Sequence, residues 1–141
     1  MGALIENSDL LWRAFTTTLW IAVAAGVLAF VWGVTLAAFR ASPVAPLRTF
    51  ATAYVTVVRN TPLTLIFLFM LNAAPQLFGL VVPLGVPMAI LSMTLYTATF
   101  VCEAIRSGIN SVGVGQAEAA RSVGLTVVQT LSLVVLPQAF R

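Results

Sequence analysis

Residues 14–39 read AFTTTLWIAVAAGVLAFVWGVTLAAF, a stretch without a single Asp, Glu, Lys or Arg. As a helix it extends about 39 Å at ~1.5 Å per residue, against a bilayer hydrocarbon core of about 30 Å, so it is long enough to cross with some tilt. Trp12, Trp20 and Trp32 lie at or within a turn or two of its ends, where indole rings anchor helices at the membrane interface. The competing reading is a buried helix of a water-soluble protein. Composition argues against it: the 141-residue chain is 60% hydrophobic and 8% charged, where a soluble domain carries about 25% charged residues. Too few polar side chains remain to cover an outside.

The same reasoning extends in both directions. Upstream, Glu6 and Asp9 precede the apolar run, whereas a secretory signal places positive charge there and has a shorter apolar core. Downstream, residues 60–102 are again free of charge and too many for one crossing. They divide at NAAPQLFGLVVPLGVP, residues 72–87, where Asn72, Pro75, Gly79, Pro83, Gly85 and Pro87 concentrate the residues that stop or bend helices. This predicts a second span over about 61–77 and a third over about 87–102, both near the lower limit of length. Between the first two spans, Leu47, Phe50, Ala51, Tyr54 and Val58 share one helical face, with Arg48, Thr52, Thr56 and Arg59 on another. That pattern predicts an amphipathic helix, lying at the interface or leading into the second span.

Arginine placement orients the chain. Arg40, Arg48 and Arg59 stand in the first connection with no acid, while the leader has Arg13 against Glu6 and Asp9. The first connection is therefore expected to be cytoplasmic, with the N-terminus outside and everything after Glu103 inside. In that cytoplasmic portion SGINSVGVGQ, residues 107–116, reads as a glycine-punctuated connector. AEAARSV reads as a short helix stopped by Gly124, with Arg121 favourable to its dipole. The following apolar run, 125–136, is too short to cross and is closed by Pro137. The resulting expectation is an all-α membrane protein of about three transmembrane helices followed by a cytoplasmic loop over about 108–137.

Several functions are excluded by residue type. With no histidine and no lysine, the chain lacks the usual means of general acid–base chemistry and of a serine–lysine pair. Glu103 and Glu118 are separated by the glycine-rich connector and have no evident reason to converge. No metal-ligand cluster and no phosphate-binding loop are encoded. Basicity without lysine, with arginines flanking apolar runs, is membrane topology rather than a nucleic-acid footprint. The lone Cys102 is expected to be a small buried apolar residue. Asn72, Thr94, Thr97 and Thr99 are expected to hydrogen-bond between helices. Arg59 reads first as an interfacial arginine with its stem in the apolar layer; the other reading pairs it with Glu103 or Glu118, or has it brace a gate.

The stretch EAARSVGLTVVQTLSLVVLP, residues 118–137, has Glu118, Ala119 and Ala120, then Gly124, then Leu136 and Pro137 at set spacing. It resembles the cytoplasmic EAA loop of ABC-importer permeases, E-A-A-x3-G-x9-I-x-L-P, with Val134 where isoleucine is usual. YVTVVRNTPLTLIFLF, residues 54–69, and TFVCEAIRSGINSVGVGQAEAARSVGL, residues 99–125, resemble the polar amino acid permeases of that family, and with SPVAPLRT the glutamate-type ones.

The resemblance implies a type-1 permease domain occupying residues 1–141 incompletely, because members carry further spans after the loop; the chain is expected to be C-terminally truncated. It implies coupling to an ATP-binding cassette subunit through Glu118, Ala119, Ala120, Arg121, Gly124 and Pro137. ATP would bind on that partner and no cofactor on this chain. The remaining implied partners are a second permease subunit, an extracytoplasmic substrate-binding protein and the lipid bilayer of the plasma membrane. The cargo would be glutamate or a related polar amino acid. The alternative is a non-transporting membrane scaffold or assembly protein.

Overall fold

The computed structural model describes residues 7–79, 83 and 85–139. Every regular element among the described residues is helical. Helix α1, Ser8–Ala41, runs past both ends of the stretch 14–39. Three of its four threonines are compatible with an apolar surround because their hydroxyls donate to carbonyls one turn back: Thr16 to Trp12 at 3.0 Å, Thr18 to Ala14 at 2.9 Å and Thr35 to Val31 at 2.9 Å. Only Ala25, Ala29, Gly33 and Leu36 are buried in it. They form one narrow stripe at helical spacing. Trp20, Val23, Val27 and Val31 on its other faces are exposed. A helix that is apolar all round yet packed on one stripe is built for lipid on the rest.

The stripe lies against helix α5, Val86–Ser111. Contact is backbone-close at Gly33, where an added Cβ would stand 2.6 Å from Val101 Cβ and 2.8 Å from the Ala98 carbonyl oxygen. Gly33 faces Ala98 and Val101, and seven residues on Arg40 faces Glu103. The two longest helices thus lie side by side and point the same way, which requires the chain between them to return across the same thickness.

That return is made in pieces. Helix α2, Ala45–Arg59, is the expected amphipathic helix, with Ala51 and Val55 buried. Thr61 precedes Pro62, which disfavours helical backbone at the residue before it and lacks an N–H. The axis accordingly turns by 103° between α2 and α3, Leu63–Asn72. Ala73 then joins α3 to α4, Ala74–Phe78, which Gly79 ends in the left-handed conformation at φ 61°. Residues 80–82 and 84, inside the expected Pro- and Gly-rich turn, lie outside the described residues.

Two apolar clusters follow one another along α5. Met88 meets Met70 and Ala74, and further along Ala98 and Cys102 meet Ala29, Leu36, Ala51 and Val55. Cys102 is fully buried, as expected.

Three expectations change. Trp32 is turned inward rather than standing free on the surface: it packs against the second cluster with its ring 6.1 Å from Tyr54, edge to face. Asn72 and Thr99 bond within their own helices, to Leu68 and Tyr96, and Thr94 is buried without a hydrogen-bond partner. A hydrogen bond between helices comes instead from the Tyr54 hydroxyl to the Leu95 carbonyl, 2.9 Å. Third, residues 107–111 are not a connector. They complete α5, and the link to the next helix is Val112–Gly113 alone. Gly108 is small because another backbone passes it, not because the chain breaks there.

Candidate functional site

The short charged helix, α6, spans Val114–Ser122. Its start is turned by Gly113, whose carbonyl accepts the Gln116 N–H at 2.9 Å. Its end is a Schellman stop. The Leu125 N–H reaches the Ala120 carbonyl at 3.2 Å and the Gly124 N–H reaches that of Arg121 at 3.0 Å, with Gly124 at φ 90°. Only glycine takes that backbone without strain.

One residue later Thr126 starts helix α7, Val127–Ala139, through a reciprocal capping box. The Gln129 side chain accepts the Thr126 N–H at 2.9 Å, and the Thr126 hydroxyl accepts the Gln129 N–H at 3.3 Å. The T-x-x-Q spacing of Thr126 and Gln129 is the sequence signal for this box. Stop and start are therefore fastened back to back, and the angle between α6 and α7 is set by hydrogen bonds.

Helix α7 continues through Pro137 rather than ending before it. Its middle, Leu131–Val135, widens to a π-turn in which the Leu136 N–H reaches the Leu131 carbonyl. The widening suits a proline that has no N–H to give and whose ring crowds the carbonyl a turn earlier. Beyond it Ala139 lies on α5: a Cβ added to Gly108 would stand 2.9 Å from the Ala139 carbonyl oxygen. So α6 is mounted on α5 at both ends, directly through Val112–Gly113 and indirectly through α7 at Gly108.

On this mount Glu118, Ala119 and Arg121 are exposed, and Val114 and Val123 are 72% and 78% exposed at the two ends of the helix. Ala120 is turned the other way and buried. Its carbonyl closes the Schellman stop, so it shapes the helix rather than its outer surface. Pro137 is exposed but stands in α7, apart from the α6 group. Glu118 and Arg121 form no ion pair among the described residues.

A second group lies just before the mount. Glu103 receives Arg40 of α1 through Nη1 and Oε1, Arg106 Nε at 3.5 Å and Arg59 Nη1 of α2 at 3.9 Å. The Arg59 guanidinium also lies 5.8 Å from the centre of the Phe100 ring. Of the two readings of Arg59, the structure favours pairing, and it selects Glu103 over Glu118. The Arg40–Glu103 contact is the strong member, since both side chains are largely shielded at 15% and 22% exposure. The half-exposed Arg59 and Arg106 contribute little each in a water-screened setting. One carboxylate thereby ties together α1, α2 and α5. Sequence distance concealed this, as Arg40 and Glu103 stand 63 residues apart.

Comparison with known proteins identifies the fold and the family. The chain is 44% identical over 138 residues to the glutamate transport system permease protein GluC of Corynebacterium glutamicum, covering 91% of this chain and 60% of that one. It is 40% identical to the probable glutamine ABC transporter permease protein GlnM of Bacillus subtilis, covering 100% of this chain and 64% of that one. It thus spans just under two thirds of the length of these relatives. A solved structure, the crystal structure of an amino acid ABC transporter with histidines, matches with a TM-score of 0.90 at 30% identity over 98% of this chain and 64% of that one. The fold is that of an ABC transporter permease. Residues 29–141 match the model of the binding-protein-dependent transport system inner membrane components, and the chain belongs to that family.

Proposed function

We propose that this chain works as, or within, the membrane permease of an ATP-driven importer of a polar amino acid, glutamate or a close relative. Helix α6 is its point of attachment to a separate ATPase subunit. The observation that carries the reading is the mounting of α6: a short, outward-facing helix bearing Glu118 and Arg121, clamped to α5 at both ends. Such a helix transmits a push instead of absorbing it.

In this reading Glu118 and Arg121 set the register on the ATPase, Ala119 allows close approach, and Ala120 and Gly124 hold the helix end in shape. Pro137 shapes α7, which returns the load to Gly108. ATP binds on the partner, and this chain holds no cofactor. Closure of two ATPase subunits moves two α6 helices, each carrying its α5, and the Glu103 group carries α1 and α2 with it. The pathway between two permease subunits then alternates its access. The arginine-rich end that holds Arg40, Arg59, Arg106 and Arg121 faces the cytoplasm and the N-terminus faces outside, where a binding protein delivers the cargo. The names of the relatives support the choice of glutamate or glutamine.

The test is co-purification with the ATPase subunit. Glu118→Lys and Gly124→Asp should each lower recovery of the ATPase, and undiminished recovery with both would overturn the attachment. Competition among glutamate, glutamine and aspartate for uptake into proteoliposomes identifies the cargo, and absence of uptake by an assembled complex supports a scaffold instead.

A further inference from the structure

We propose that the groove between α1 and α5, at the end where the Glu103 group lies, is a binding site for an anionic phospholipid. Its cavity is about 250 Å³. The floor is apolar, made by Ala37 and Ala41 of α1 and by Ile105 and Ile109 of α5. Its polar rim consists of Arg40, Arg106 and Asn110. An occupant with an apolar chain and an anionic polar end matches both surfaces, and a bilayer supplies one in place.

Charge supports the choice of an anion. Arg40, Arg59 and Arg106 share the single carboxylate of Glu103, so the group keeps two positive charges in excess. Arg40 is consumed by its shielded pair, whereas the Arg106 side chain is 51% exposed and its Nε stands 3.5 Å from Glu103. Arg106 therefore remains open to the groove that it lines. Geometry places the acyl chain correctly as well. Because α1 and α5 point the same way, Ala37 lies a turn before Arg40 toward the middle of the charge-free stretch, Ile105 lies beside Arg106, and Asn110 lies a turn beyond Arg106. A phosphate held by Arg106 and Asn110 would leave its chain running back along Ala37 and Ile105. Basic pockets between spanning helices hold anionic head groups by this division of labour.

Placing the site in the cytoplasmic leaflet rests on the orientation proposed above; the binding itself does not. The detergent-purified chain is titrated with phosphatidylglycerol, phosphatidylcholine and inorganic phosphate, and retained ligand is read by native mass spectrometry. Phosphatidylglycerol should be retained in preference to phosphatidylcholine, and Arg106→Gln should weaken it about fivefold, the effect of one guanidinium near an anionic surface. Arg106→Lys, which keeps the charge, should restore it, and Arg13→Gln, at the far end of α1, should leave it unchanged. Equal retention of the two lipids, or no loss in Arg106→Gln, would overturn the site. Inorganic phosphate competing as well as the lipid would overturn the role of the apolar floor and leave a free-phosphate site. Failure of ATPase co-purification would leave all of these outcomes standing.

Discussion

Arg40, in the last turn of α1, donates to the Glu103 carboxylate, which stands in α5 next to the buried Cys102 and one turn past the buried Thr99. Both partners are largely shielded. A shielded charge left alone costs far more than its pair contributes, because the partner keeps its desolvation penalty. Glu103→Ala is therefore expected to destabilise the chain by about 3 kcal/mol, and Arg59→Gln by no more than about 1 kcal/mol. Thermal unfolding in detergent measures both, and equal losses would contradict a ranking by burial.

Gly33 and Gly26 lie on the same helix and should respond oppositely to alanine. At Gly33 the new methyl meets Val101 and the Ala98 carbonyl, whereas at Gly26 nothing lies within 4 Å. Gly33→Ala should cost about 1–3 kcal/mol by forcing α1 away from α5. Gly26→Ala should be neutral or gain up to ~1 kcal/mol from helix propensity. The same unfolding measurement separates them, and a harmless Gly33→Ala would mean that the helices do not pack this closely.

The two glycines flanking α6 differ as well. Gly124 sits at φ 90° and Gly113 at φ −58°. Gly124→Ala is expected to cost about 1–2 kcal/mol, the penalty for a left-handed L-residue. It should lower ATPase co-purification, while Gly113→Ala, with open space around it, should lower it less. Equal behaviour would show that the Schellman stop does not govern the helix.

Thr126→Ala removes the hydroxyl from the capping box and should cost about 1 kcal/mol at the first turn of α7. Hydrogen exchange at Gln129 and Thr130 should accelerate, with Thr126→Ser restoring protection. Unaltered exchange would show that α7 is held by Gly108 and Ala139 alone.

The parts of this protein legible in the sequence are those set by local chemistry. The charge-free stretch 14–39 places α1 in a membrane whatever it packs against, because its backbone must bond to itself and its side chains exclude water. The alternation of Leu47, Phe50, Ala51 and Tyr54 with Arg48 and Thr52 dictates an amphipathic α2. Gly124 dictates a stop, since few other residues take its backbone. The spacing from Glu118 to Pro137 carried the family.

What only the tertiary structure decided are the positions where two distant segments share space. Gly108 reads as punctuation until Ala139 is found beside it, and Gly33 reads as one small residue among many until Val101 presses on it. Trp32 looks like an anchor until Tyr54 meets its ring. Glu103 has three arginines to choose from, at 40, 59 and 106, and its choice depends on which helices arrive at one end together. Secondary structure and membrane partition depend on neighbours in sequence and on solvent, so they can be read along the chain. Close packing and shielded ion pairs depend on neighbours in space, which the parallel course of α1 and α5 brings together.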